Sequence, residues 1–247
     1  MSRWKAAAIH SSISAVIALL IGALFFGLWY PPPYFHAAGA DELVMLLVGV
    51  DLGIGPLLTL IVFRSGKRGL RFDLSVIAVL QTAALIYGLF VVLQSRPVFL
   101  VAAVDRLVLI SGNEITDDDL KQGAEPEFRS RSWTGPRIVA AVMPTDPKER
   151  SDVVFAAAYG RDLEKLPKYY HPYATTAKAL LTQARSLDGL RRKSADADAK
   201  VASWLARSGR TESSVVWVPL QARKEDIVML LDAETAQPLQ ALAIDPW

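Results

Sequence analysis

Leu43-Val44-Met45-Leu46-Leu47-Val48-Gly49-Val50-Asp51-Leu52-Gly53-Ile54-Gly55-Pro56-Leu57-Leu58-Thr59-Leu60-Ile61-Val62-Phe63 is the stretch that decides the fold. Its 21 residues are nearly all apolar. At 1.5 Å per residue they can cross the roughly 30 Å hydrocarbon core of a bilayer. The run nevertheless holds one carboxylate, three glycines and a proline. A charge at the bilayer centre costs about 2.5–3.5 kcal/mol on insertion scales, so the surrounding apolar residues must outweigh it.

Working outward, two more runs lack Asp, Glu, Lys and Arg, residues 6–30 and 74–93. The chain therefore reads as a three-helix membrane domain over 1–95, with spans at about 6–30, 43–63 and 74–93. A soluble domain follows over 96–247. The first apolar run, about 25 residues, exceeds the h-region of about 7–15 residues in a signal peptide, so a retained anchor is expected. Arg3 and Lys5 precede the first span, and Arg64, Lys67, Arg68 and Arg71 lie between the second and third. The connection at 31–42 carries only Asp41 and Glu42. The positive-inside rule then puts the N-terminus and the 64–72 loop in the cytoplasm and the C-terminal domain in the periplasm. Arg64, Lys67, Arg68 and Arg71 read as topology signals that touch anionic lipid. Aromatics fit the two interfaces: Trp4, Phe63 and Phe72 on one side, Trp29, Tyr30, Tyr34 and Phe35 on the other. Pro31-Pro32-Pro33 predicts a stiff, extended exit from the first helix.

Gly49, Gly53 and Pro56 fall within about 40° of one another on a helix and predict a close-packing face with a kink at Pro56, which has no amide to donate. Asp51 points nearly the other way, toward Gly55 and Leu58. It lies roughly 12 Å below the outer end of its helix. Tyr87 is the polar residue of the third span nearest that depth, with Gln81 and Thr82 deeper. Two readings stay open: an Asp51 that fixes helix register by bonding within the chain, and an Asp51 that faces a partner or a polar cavity. Small residues also recur at Ser14, Ala18 and Gly22, while His10 sits near the inner interface.

The remainder carries 21 basic and 21 acidic side chains, so the net charge of +2 comes from the membrane part. This pattern points away from nucleic acid. With no cysteine, disulfides and thiolate chemistry are excluded. Strands are expected at 98–104, 106–110, 137–143, 214–220, 227–231 and 239–244. Helices are expected after Thr116, after Asp146 to about 161, over 174–187, and after Ser194 to about 207. The fold class is thus three transmembrane α-helices followed by a soluble α+β domain with a mixed or antiparallel sheet. His171 lies in the aromatic cluster 169–173 without a nucleophile elbow or metal-binding spacing, so packing is its expected role. Asp117-Asp118-Asp119 lacks the alternate-position pattern of a calcium loop. No catalytic residue, cofactor or metal site is predicted.

Several motifs together resemble the TfpX/TfpZ family of type IV pilin accessory proteins. They are the Ser2-Arg3-Trp4-Lys5 opening, Trp29-Tyr30-Pro31 with Tyr34-Phe35, and Val50-Asp51-Leu52 leading into Gly55-Pro56-Leu57-Leu58-Thr59-Leu60. Lys67, Phe72-Asp73-Leu74-Ser75, Gln94-Ser95-Arg96-Pro97, Val104-Asp105-Arg106 and the Asp245-Pro246-Trp247 end complete the set. Pro32 departs from the pattern by making a triple proline. The resemblance implies a non-enzymatic, chaperone-like inner-membrane helper whose partners are the major type IV pilin, the pilus assembly machinery and the lipid bilayer. Candidate intramembrane contact residues are Gly49, Asp51, Gly53, Gly55, Pro56 and Tyr87. The alternatives are a membrane-anchored enzyme acting on pilin or envelope glycan, and a small membrane sensor or transporter.

Overall fold

A computed structural model describes residues 2–247. Three helices are long and apolar enough to cross a membrane: Arg3–Trp29, Ala40–Val62 and Leu70–Ser95. The Ser2 side chain caps the first by accepting from the Lys5 amide. Both the first and the second contain a π-helical stretch. In the first it is the last turn, Phe25–Trp29, closed by the Tyr30 amide donating to the Phe25 carbonyl at 2.8 Å. In the second it is Gly49–Ile54, where the Gly55 amide donates to the Val50 carbonyl.

A π-helical stretch precedes Pro56, where the proline is expected to kink the helix. The i→i+5 pattern ends one residue before the proline, so the ring meets a backbone already widened for it. The extra residue also turns the helix face. Gly49 and Gly53 lie open, with nothing within 4 Å of a Cβ built on either. Pro56 is buried with Gly55 on the other side of the change. The common face expected for Gly49, Gly53 and Pro56 is therefore divided. Close approach occurs elsewhere: a Cβ on Gly55 would lie 1.8 Å from the Gln81 amide nitrogen, and one on Gly88 would lie 2.3 Å from Leu47 Cδ1.

Beyond the helices, eight strands form one mixed sheet in the order β4-β3-β1-β2-β6-β7-β8, with β5 pairing β6 to one side. Their ranges are β1 Pro97–Ala103, β2 Arg106–Ser111, β3 Arg137–Ala141, β4 Tyr170–Pro172, β5 Arg185–Ser186, β6 Val215–Gln221, β7 Ile227–Asp232 and β8 Pro238–Leu242. β1 runs parallel to β3, and β2 parallel to β6; the other pairs are antiparallel. The segment expected as a single helix over 174–187 is divided instead. Helix Ala177–Gln183 ends where Arg185-Ser186 pairs with Trp217-Val216, and a new helix starts at Leu187. The Trp217 indole donates to the Ser186 carbonyl at 3.0 Å and holds that break in place. The helix opened by Asp146, whose carboxylate accepts from the amides of Lys148 and Glu149, stops at Ala157, short of the expected end.

Alternate side chains of each strand enter different cores, as the two-residue period requires. Phe99, Val101, Val108, Ile110 and Val139 face a core closed by Phe128, Val153 and Tyr170. Val215, Trp217, Val228 and Leu230 face helix Ala195–Ser208 through Val201 and Trp204. On the opposite face, Leu100, Ala102, Leu107, Leu109, Val218, Leu220, Ile227 and Met229 share a core with Phe25, Tyr30, Ala37, Leu47 and Val92. The sheet thus lies directly on one end of the apolar helices. Tyr30, expected at a lipid interface, is 0% exposed inside that shared core. Its hydroxyl donates to the Val92 carbonyl at 3.2 Å and lies 3.3 Å from Ser95 Oγ.

The 30–40 connection also differs from the extended exit expected of three prolines. The Tyr34 amide donates to the Pro31 carbonyl at 3.0 Å, and a single helical turn at Tyr34–Ala37 brings the chain back. The Ala37 carbonyl accepts from the amides of Lys224 and Glu225. Lys224 Nζ reaches Asp41 at 2.9 Å and Glu42 at 3.0 Å. On the third helix, Arg96 alone separates Ser95 from β1, and it is buried. Its guanidinium donates to the Leu93 and Ser132 carbonyls and lies under the Trp133 ring.

Strands β1 and β2 are joined by the two residues Val104-Asp105, with Val104 at φ 52° and 82% exposed. A positive φ at the first central position is where a hairpin turn wants glycine, and a β-branched residue there is strained. Val104→Gly is expected to raise unfolding stability by about 1 kcal/mol, since strain of this kind costs about 1–3 kcal/mol and glycine's added chain entropy offsets part of the gain. A denaturant midpoint at or below that of the parent would contradict the strain.

Candidate functional site

The second apolar helix lies between the other two. The first packs on its Gly55–Val62 half, and the third packs on both halves. The first and third converge only near the sheet, where Tyr30 meets Val92 and Ser95. Away from the sheet they splay apart and leave a lateral groove of about 380 Å³. One wall is Ala6, Ile9, Ile13 and Ile17 of the first helix. The other is Leu74, Ile77, Ala78 and Leu85 of the third.

The walls are apolar and the interior is not. His10, Ser14, Asp51, Thr59, Gln81 and Thr82 all line the groove. His10 Nδ1 and Thr59 Oγ1 lie 2.6 Å apart, and Thr59 is only 4% exposed. That contact occupies the Thr59 hydroxyl and one ring nitrogen of His10. Asp51 and the Gln81 amide make no hydrogen bond or ion pair among the described residues, and both are half-buried against the groove. Asp51 stands in the π-helical stretch, halfway along the second helix. Gln81 lies over Gly55, and only a residue without a side chain leaves it that room.

Of the sequence candidates, the structure brings Asp51 to the groove, together with Gln81 and Thr82, and buries Gly55 and Pro56, with Gly55 beneath Gln81. Tyr87, the residue matched to Asp51 by depth, is 69% exposed on the outside of the third helix and does not line the groove. Gly49 and Gly53 form an open strip outside it. Arg64, Lys67, Arg68 and Arg71 lie at the end of the helices remote from the sheet, with Lys67 paired to Asp73 at 2.6 Å. His10 and Gln81 are the members that sequence reasoning missed. Depth alone set them apart from Asp51, whereas the rotation of each helix puts them beside it.

In the sheet domain the ionisable candidates are dispersed. Asp105 pairs with Arg106, Asp117 with Arg131, Asp118 with Lys121 and Asp119 with Arg161. His171 lies in β4 opposite Ala140. Its neighbour Tyr170 is fully buried against Phe99 and Phe128, and burial pushes its phenol well up. Among the described residues, no three His, Asp or Glu side chains come together as a metal site.

Comparison with known proteins matches one family and three relatives. The family described as fimbrial assembly protein FimB matches residues 1–39. The fimbrial assembly protein of Dichelobacter nodosus serogroup I is 34% identical over 185 residues, which are 74% of this chain and 72% of that protein. The serogroup E1 protein of the same organism matches at the same identity and coverage. The protein of serogroups C1 and C2 is 37% identical over 120 residues, 48% of this chain and 92% of that protein. No solved structure matches. These relatives support the coarser part of the motif resemblance, a type IV fimbrial assembly protein, and do not reach the narrower TfpX/TfpZ designation. An identity of 34% across about three quarters of both chains, reinforced by the N-terminal match, makes this chain a member of the fimbrial assembly protein family.

Proposed function

We propose that this protein is a non-catalytic inner-membrane accessory of type IV pilus biogenesis that binds the major pilin through its membrane helices. The observation that carries the reading is the lateral groove, whose Asp51 and Gln81 make no hydrogen bond or ion pair among the described residues. Inside a bilayer such groups are costly unless something meets them, and an intramembrane acid marks a contact or a pathway. A chaperone-like hold on a membrane-embedded subunit would supply the missing contact. The open strip at Gly49 and Gly53 offers a second face for close helix approach.

The N-terminus and the basic loop with Arg64, Lys67, Arg68 and Arg71 lie in the cytoplasm in this reading, and the sheet domain over 96–247 in the periplasm. The charge bias of the connections supports that orientation. An enzymatic role finds less support, because the acids of the sheet domain are spread over separate ion pairs.

Photocrosslinking in intact cells tests the proposal. A photoreactive residue at Ala78, on the groove wall, is expected to capture the major pilin, and one at Gly53 to capture it more weakly. Gly49→Leu is expected to lower surface piliation while the protein itself accumulates normally. Absence of pilin crosslinks from both positions, with normal piliation in Gly49→Leu, overturns the proposal.

A further inference from the structure

We infer that the groove selects a partner transmembrane helix by a nitrogen donor at mid-bilayer depth, with Asp51 as the specificity-determining acceptor and Gln81 beside it. This rests on the reading above for the claim that the natural occupant is a pilus subunit. The donor chemistry follows from the groove alone.

Charge complementarity carries the argument. The three apolar helices hold one mid-helix acid, and residues 6–62 and 72–95 contain no Lys or Arg that could answer it. His10, the nearest cationic candidate in the groove, spends Nδ1 on Thr59 at 2.6 Å and makes no hydrogen bond or ion pair with Asp51 among the described residues. A second copy of this chain has the same helices, so it too brings no cation to Asp51. A lipid acyl chain would fill the apolar walls and leave the carboxylate and the amide unmet. A helix with an amine, guanidinium or amide N–H at that depth answers both.

The size of the groove agrees with this. About 380 Å³ accommodates a few side chains and not a whole helix. The partner therefore rides along the rim between the first and third helices and projects side chains inward. Because the helices meet at Tyr30, the site is open only in the part remote from the sheet. The donor must reach in below that closure, at the level of Asp51.

The test uses the purified full-length chain in lipid bilayers with two fluorescent leucine-based transmembrane peptides, one with a central lysine and one with leucine there. Energy transfer reports binding. The lysine peptide is expected to bind about fivefold to tenfold more tightly, in keeping with polar contacts between membrane helices. Asp51→Leu is expected to remove the difference. Asp51→Asn, which keeps a carbonyl acceptor and the side-chain shape, is expected to retain part of it. Equal binding of the two peptides to the parent chain overturns the inference, and so does a preference that survives Asp51→Leu. A clear peptide preference without pilin crosslinks in cells would refute the pilin reading and leave the donor chemistry standing.

Discussion

Tyr30→Ala is expected to lower stability by about 3–5 kcal/mol, the cost of emptying a fully buried aromatic site. The ring is 0% exposed, packs at 6.4 Å from Phe25 and 6.0 Å from Phe35, and lies in the one core shared by helices and sheet. Its loss should therefore do more than soften the fold. The Tyr30 ring and its hydroxyl at Val92 tie the end of the first helix to the third within the shared core, so the variant should loosen the first helix and the 30–40 connection from that core. Limited proteolysis in detergent micelles should then cut between residues 30 and 40 in the variant and not in the parent. Tyr30→Phe keeps the ring and loses only the hydrogen bond, and is expected to cost about 1 kcal/mol. Equal protection of the 30–40 segment in Tyr30→Ala and the parent would show that the contact does not hold the two parts together.

Phe99→Ala should cost a similar 3–5 kcal/mol with the opposite consequence. Phe99 is also 0% exposed, but it points to the other face of the sheet, against Tyr170 at 5.2 Å and beneath Arg137. Emptying it should loosen the segment from Ile115 to Phe128 and the helix Pro147–Ala157, whose Val153 shares that core. The junction with the apolar helices should stay intact. Hydrogen exchange resolves the two cases: Phe99→Ala exposes amides over 115–160, and Tyr30→Ala those over 30–40 and 92–96. Identical exchange maps for the two variants would contradict the separation of the sheet's faces.

The parts legible in the sequence are those fixed by short-range signals. Long apolar runs, the caps at Thr116, Asp146 and Ser194, and the alternating strands around Val104-Asp105 each depend on a few neighbouring residues. The parallel pairs β1–β3 and β2–β6 depend on contacts far apart in the chain, and no local pattern announces them. The division of the 174–187 segment has the same origin, since pairing with β6 overrides helical periodicity at Arg185. For the groove, Asp51 stood out as an acid in an apolar run. The turn at Gly49–Ile54 changes the angular register by a residue, so faces drawn with a uniform 3.6-residue period stop matching past Ile54. Hence Gly55, and not the Gly49–Gly53 pair, marks the tight contact.

The joint at Arg96 has a mechanical consequence. One residue links the third helix to β1, and it is clasped by two carbonyls and an indole ring. Such a connection has no slack to act as a hinge. A tilt of the third helix must carry the whole sheet with it, and a pull on the sheet must lever that helix against its neighbours.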